Sequence, residues 1–419
     1  MSKRLQYEKL DPYVFVTKLA GFEHTKHIQG VATHQPEADT DIPMVQGKNI
    51  RNGFFVQEHE WFISKDVSDA LPRSVLDKPC ILIPYVGSNL GEVGIFPNDY
   101  RCHLASNIAK VELISEKYIL EYLKYYLQSD IGQGYLFQSK QGSAQPNITM
   151  ESIRNTLIVE RSQPEQQKIC DVLSAVDQKF LLNQNICAEL ESMAKTLYDY
   201  WFTQFDFPNE EGKPYRSSGG EMVWNDQLKR EIPKDWDVVP VTESFDVCYG
   251  FPFDTECFVE DPSAQPVVRI RDILEGSISA YTTEKVDKKY WLHSGDMIIG
   301  MDGNFHINFW DSKPALLNQR CVRIRSTCEY PVFMAYFSSL PYIKAREKTV
   351  SRTTVGHLSA DDIKALYVFK PDAATLASVK SIFNAALEKI CQVKDENREL
   401  TKLRDWLLPM LMNGQATVE

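Results

Sequence analysis

The chain has 419 residues and a formal net charge of −11, from 57 Asp and Glu against 46 Lys and Arg. That length accommodates two or three domains with substantial cores. No apolar run approaches the roughly 18 residues of a membrane span, and the opening Met1-Ser-Lys-Arg-Leu5 lacks the apolar core of a signal peptide, so no membrane role is expected and the expected compartment is the cytoplasm.

Residues 1–161 read as a globular α/β domain, with short β-like runs such as Ile81-Leu-Ile83 between turns. Gly87-Ser-Asn-Leu-Gly91-Glu-Val-Gly94 lacks GxGxxG spacing and a following helix pattern, so it reads as tight turns between strands. His24 and His27 sit three apart without a Cys or acidic cluster beside them. The nine cysteines contain no CxxC pair and read as reduced core residues. No metal site is expected.

Residues 162–205 form the first long helix. Ile169, Leu173, Val176, Phe180, Asn183, Cys187, Leu190, Ala194, Leu197 and Trp201 alternate steps of four and three, which is a heptad seam. Ser162-Gln-Pro-Glu165 has the form of a capping box, with Pro tolerated in the first turn. Trp201, Phe202 and Phe205 are expected to pack against a neighbouring domain. Residues 206–232, with Gly212, Pro214, Gly219 and Gly220, read as a polar connector.

Residues 233–371 read as a second globular domain, with Arg320-Cys-Val-Arg-Ile-Arg325 as a β-like run. From Lys313 to Arg352 there are eight Lys or Arg against two Glu, so a basic patch is expected despite the acidic total. Residues 372–414 form the second long helix, with Asp372 as N-cap and Asn413-Gly414 as stop. Each helix spans about 60 Å at about 1.5 Å per residue.

The halves are a repeat. Pro43 to Gly53 lines up with Pro266 to Gly276 at an offset of 223, and Cys80-Ile-Leu-Ile83 with Asp296-Met-Ile-Ile299. Gly87 falls against Gly303, and Leu104-Ala-Ser-Asn107 against Leu317-Asn-Gln-Arg320. Ile148 to Ile153 matches Leu358 to Ile363 at an offset of 210. The same offset carries the first seam onto Val379, Phe383, Ala386, Ile390, Val393, Asn397, Leu400, Arg404, Leu407 and Leu411. Since 210 is a multiple of seven, the two seams are in register and predict a paired coiled coil. Asn183 and Asn397 hold equivalent places, where a polar residue fixes register. Arg404 is the exception. Residues 10–40 have no evident counterpart in the second half.

No GxxxxGK[ST], HExxH or GxSxG string occurs, nor the Asn/Asp-Pro-Pro-Tyr string expected of an amino-methyltransferase acting on DNA bases. A catalytic chain is not expected.

This plan resembles the specificity subunit of type I restriction–modification systems. Pro164-Glu-Gln-Gln-Lys-Ile169 with Val172-Leu-Ser-Ala-Val-Asp-Gln-Lys179 is similar to that family's entry into its first spacer helix. Tyr200-Trp-Phe-Thr-Gln-Phe-Asp-Phe-Pro208, Gly212-Lys-Pro-Tyr215, Ser218-Gly-Gly-Glu-Met-Val-Trp224 and Ile232-Pro-Lys-Asp-Trp236 are similar to its central region. Leu403-Arg-Asp-Trp-Leu-Leu-Pro-Met-Leu411 with Gly414 resembles its C-terminal helix end. The second helix departs from the pattern, with Pro371-Asp-Ala-Ala in place of Pro-Glu-Gln.

The resemblance implies an α+β fold: two α/β target-recognition domains in a pseudo-two-fold arrangement, separated by two long helices forming an antiparallel coiled coil. It implies double-stranded DNA as ligand, each domain reading one half of a bipartite site. Two DNA-methyltransferase subunits and restriction–translocase subunits would be its partners. It implies no cofactor on this chain, S-adenosylmethionine, ATP and Mg²⁺ belonging to those partners.

Base edges and phosphates favour Arg, Lys, Asn, Gln and hydroxyl side chains on loops. The candidates in the first half are Lys140, Gln141, Ser143, Gln145 and Asn147, within the loop 139–147. In the second they are Lys348, Ser351, Arg352, Thr353, Thr354 and His357, within 348–357. The resemblance adds Lys48, Asn49 and Arg51, and Arg269 and Arg271. The rival readings are a coiled-coil interaction scaffold without DNA, favoured by the acidic total, and a stand-alone endonuclease, for which no acid–lysine cluster is evident.

Overall fold

The computed structural model describes residues 6–97, 99–138, 147–274, 276–327, 329–350, 356–416 and 418. It contains two compact units, one built from 1–178 with 401–419 and one from 179–400. The first long helix is Gln163–Tyr198 and the second is Ala373–Met412, so each contributes to both units.

In the first unit an antiparallel sheet runs in the order Val14–Lys18, Ile108–Leu113, Cys80–Pro84, Gly94–Phe96. Cys80–Pro84 is buried at every position, as a strand covered on both faces requires. A second sheet has the order Phe62–Ile63, Ile42–Val45, Cys102–Leu104, Val75–Leu76, with one parallel pair that sets Val45 against Leu104. Tyr7–Lys9 pairs with Leu157–Val159.

The second unit repeats this plan internally. Asp246–Tyr249, Cys321–Arg325, Met297–Gly300 and Ile307–Phe309 form one antiparallel sheet. The other has the order Phe258–Val259, Ala280–Thr282, Gln265–Val268, Ala315–Leu317, Trp291–Leu292, and its parallel pair sets Val268 against Leu317. Val45 and Leu104 are the residues that the repeat aligns with Val268 and Leu317, so the register itself is repeated. Asp237–Pro240 pairs with Tyr367–Lys370 in the place of the first unit's terminal ladder.

Buried cations repeat as well. Lys110 Nζ donates to Val75 O at 2.8 Å and pairs with Glu112 at 2.7 Å. Arg323, only 1% exposed, donates to Trp291 O at 3.3 Å and to Lys289 O at 2.9 Å, and pairs with Asp246. In each unit the buried charge ties one sheet to the edge strand of the other, and it is tolerated because it is paired and hydrogen-bonded.

Every position of both heptad seams is buried or half-buried. In the second unit Cys187 approaches Ile390 and Asn183 bonds Asn397, so the two helical segments run antiparallel. In the first unit Arg161 donates to Leu411 O at 2.8 Å while Asp177 faces Arg404 at 3.8 Å, again antiparallel. Ile169, Leu173, Leu408 and Leu411 join that unit's main core. Asp372 caps the second helix through the N–H groups of Ala374 and Thr375, at 3.0 and 2.8 Å.

Three sequence expectations are revised. Val14–Lys18 corresponds to Asp246–Tyr249 in sheet position, so the stretch without a strand counterpart is shorter than 10–40; their sequences share only a pairing role, which hid the match. The connector 206–232 is folded rather than loose: Met222–Asn225 and Arg230–Pro233 form a hairpin, and Phe205 and Phe207 are buried against Trp236. The first long helix gives way at Asp199–Thr203 to a wider π-helical turn, short of residue 205.

Candidate nucleic-acid interface

The two 3₁₀ turns that follow the aligned strands are built alike. In the first unit Gly47–Asn49 is closed by Asn49 Oδ1, which accepts from Gln46 N at 2.8 Å. In the second, Ile270–Asp272 is closed by Asp272 Oδ2, which accepts from Arg269 N at 2.9 Å. Asn49 also donates to Val56 O and Glu58 O, at 2.9 and 2.8 Å, and is 1% exposed. It therefore does not serve as a DNA contact; its amide is consumed in holding the turn.

The cations on these turns differ in their neutralisation. Lys48 pairs with Glu60, whose carboxyl the lysine holds below its usual range. Arg51 pairs with Glu58 at 2.8 Å and donates to Lys48 O at 2.9 Å. In the second unit Arg269 and Arg271 both donate to Ser279 Oγ, at 2.7 and 3.1 Å, with Asp272 as their nearby carboxylate. Burial, and then the neighbouring Arg271 charge, lower the Arg269 guanidinium below its ordinary value. Two guanidiniums over one carboxylate leave a net positive turn, suited to a phosphate.

Of the loop candidates, Lys140, Gln141, Ser143, Gln145, Ser351, Arg352, Thr353 and Thr354 lie outside the described residues. Both loops are anchored in the same way. After the first, Ile148 N donates to Tyr85 O at 3.2 Å; after the second, Leu358 N donates to Met301 O at 2.8 Å. Asn147 and His357 sit at these exits, each one residue before the anchoring N–H. Next to them lie the left-handed turns at Gly87, φ +99°, and Gly303, φ +71°. His357 Nδ1 is 2.6 Å from Asp302 Oδ1, and Arg320 Nε is 3.3 Å from Asp302 Oδ2. Lys348 is exposed near the end of the helix Val332–Val350.

Arg320 and Asn107 lie beside the candidate loops, and the sequence reasoning passed over them. Tyr85 N donates to Asn107 O at 3.2 Å, and Met301 N to Arg320 O at 2.9 Å, so the two residues occupy one position of the repeat beside the loop anchors. The signal was present, because the repeat sets Leu104-Ala-Ser-Asn107 against Leu317-Asn-Gln-Arg320. The basic run from Lys313 to Arg352 is not one face. Arg323 is buried, Arg325 pairs with Asp296 at 2.7 Å, and Arg346 pairs with Asp362 at 3.0 Å. A linear count cannot separate a strand's buried cations from its exposed ones.

Residues 30–192 match the family model described as Type I restriction modification DNA specificity domain. The chain is 26% identical over 393 residues to the type I restriction enzyme MjaIX specificity subunit of Methanocaldococcus jannaschii, covering 90% of this chain and 88% of that one. It is 30% identical over 199 residues to the Escherichia coli EcoBI specificity subunit, covering 45% of this chain and 41% of the relative. The crystal structure of the type I restriction–modification S subunit from M. genitalium shares the fold, with a TM-score of 0.57 at 15% identity over 98% of this chain and 96% of that one. The fold is thus that of the M. genitalium S subunit, with two domains and two long helices. In sequence and fold the chain is similar to the specificity subunits of type I restriction–modification systems.

Proposed function

We propose that each of the two domains reads one half of a bipartite DNA site, and that the chain thereby directs adenine methylation or restriction carried out by partner subunits. The observation that carries this reading is the repeat: one topology and one strand register occur twice, while the turn cations differ between the copies. A shared scaffold with divergent surface cations suits two readers of different half-sites.

The partners in this reading are two DNA-methyltransferase subunits along the helices and restriction–translocase subunits beyond them. S-adenosylmethionine, ATP and Mg²⁺ belong to those partners. Contacts to DNA come from Lys48 and Arg51, Arg269 and Arg271, Asn147, Lys348 and His357, together with the loop residues Lys140, Gln141, Ser143, Gln145, Ser351, Arg352, Thr353 and Thr354. A helix of about 60 Å corresponds to about 17 base pairs of duplex. Among the described residues, no helix is long and apolar enough to cross a membrane.

Methylation-sensitive sequencing of the source cell tests the proposal. A bipartite methyladenine motif is expected in the wild type and is expected to vanish when this chain is deleted. A methylome unchanged by the deletion overturns it.

A further inference from the structure

Arg404 is the residue that breaks the second heptad seam, and its surroundings give that break a purpose. Its guanidinium is half-buried, with Nη1 at 3.8 Å from Asp177 Oδ1 and donating to Asn52 O at 3.2 Å. Asp177 is itself held by Lys124 and Tyr125, both at 2.8 Å. The equivalent positions in the other half, 210 residues away, are Ala194 and Leu387, both apolar. The polar arrangement is therefore an addition to the seam, made in the first unit.

Asn52 and Gly53 form the two-residue turn between the strands Ile50–Arg51 and Phe54–Phe55. Both have left-handed backbones, at φ +54° and +83°. That is the form of the Asn-Gly hairpin turn. The carbonyl of Asn52 and the N–H of Gly53 belong to one peptide group. Arg404 donates to its oxygen, and Glu92 Oε2 accepts from its N–H at 2.9 Å. The plane is gripped from both sides, so it cannot rotate toward the alternative hairpin turn in which this one peptide is flipped. Arg51, whose guanidinium faces Glu58, directly precedes it. In the other unit, Gly276 aligns with Gly53 and lies against Asp311, which Arg398 of the same helix holds at 2.7 Å.

We propose that Arg404 is a positioning residue for DNA specificity: the second long helix, through Arg404 and opposite Glu92, fixes the Asn52–Gly53 peptide and so aims Arg51 at its half-site. This rests on the reading that the first domain binds DNA through that turn.

The test is allelic replacement in the source cell with sequencing of methylated adenines and immunoblotting of the chain. Arg404→Ala and Glu92→Ala act on opposite sides of the peptide. Each is expected to raise methylation at sites mismatched in one half of the motif by about tenfold, leaving the other half and the chain's abundance unchanged. That half is the one altered by Arg51→Ala. If Arg404→Ala does not accumulate, Arg404→Lys, which keeps a cation opposite Asp177, carries the same expectation. An unchanged motif in the Arg404 and Glu92 variants while Arg51→Ala alters it overturns the proposal alone, and so does equal relaxation of both halves. An unaltered motif in Arg51→Ala overturns it together with the assignment of the turn to DNA. Absence of any bipartite motif in the wild type overturns the reading beneath it.

Discussion

Removing the asparagine layer of the helix pair offers a quantitative test of the matched seam. Asn183 is fully buried and its Nδ2 donates to Asn397 Oδ1 and to Glu396 Oε2, each at 2.9 Å. Asn397 in turn donates to Phe180 O at 3.3 Å. A typical protein hydrogen bond contributes about 1 kcal/mol net, so Asn183→Ala costs about 2 kcal/mol and Asn397→Ala a similar amount. The two singles share one bond. The double alanine variant is therefore less destabilised than independent effects would make it, by about 1 kcal/mol. Asn183→Leu combined with Asn397→Leu replaces both partners with apolar groups and is expected to be neutral or stabilising. Urea denaturation of the four species, followed by far-UV circular dichroism, measures the coupling. Additivity of the singles within about 0.3 kcal/mol would refute a direct bond between the two residues.

Asp362 provides a pH test. Burial alone would raise its pKa, but hydrogen bonds from the Ser359 N–H and hydroxyl, from Tyr342 and from Arg346 bring it from 3.8 down to about 2. A carboxylate depressed in the folded state stabilises above its unfolded pKa, and that stability is lost as the pH falls from about 4 through about 2. The contribution is about 2 kcal/mol, and thermal unfolding of Asp362→Asn should lose that part of the wild-type acid slope; an identical slope would contradict the assignment. Gly250 is a steric test. A Cβ there would lie 1.8 Å from Asn318 O, so Gly250→Ala should destabilise by about 3 kcal/mol or more. Gly134, helical and open around its would-be Cβ, should accept Ala with a gain of up to about 1 kcal/mol, and equal melting temperatures for the two variants would show the packing argument to be wrong.

The scaffold was readable in the sequence because periodicity reports it directly. Ile169 and Leu173 in one unit, and Phe383 and Ile390 in the other, recur at heptad spacing because each pair lies on the buried face of its helix. Thr149 and Ser359 cap equivalent short helices because the N–H groups there need an acceptor. Asn49 looked like a surface amide because a polar residue in a turn is usually exposed; nothing local shows that it closes the turn from inside. Arg404 looked like a fault in the seam because its partners Asp177 and Asn52 are distant in sequence. The strand Val14–Lys18 has a counterpart that shares its pairing but not its residues, so alignment alone did not find it. The proposed base-reading surface is not legible in the sequence, because its chemistry depends on loop placement rather than on any repeating pattern.

Domain exchange tests whether each domain reads its own half-site. Residues 233–371 would be replaced by the corresponding domain of a relative with a different target, and the adenine methylome of the cell would be sequenced. If each domain reads one half-site, one half of the bipartite motif changes and the other half stays as in the wild type. A motif that changes in both halves, or in neither while methylation persists, would contradict it.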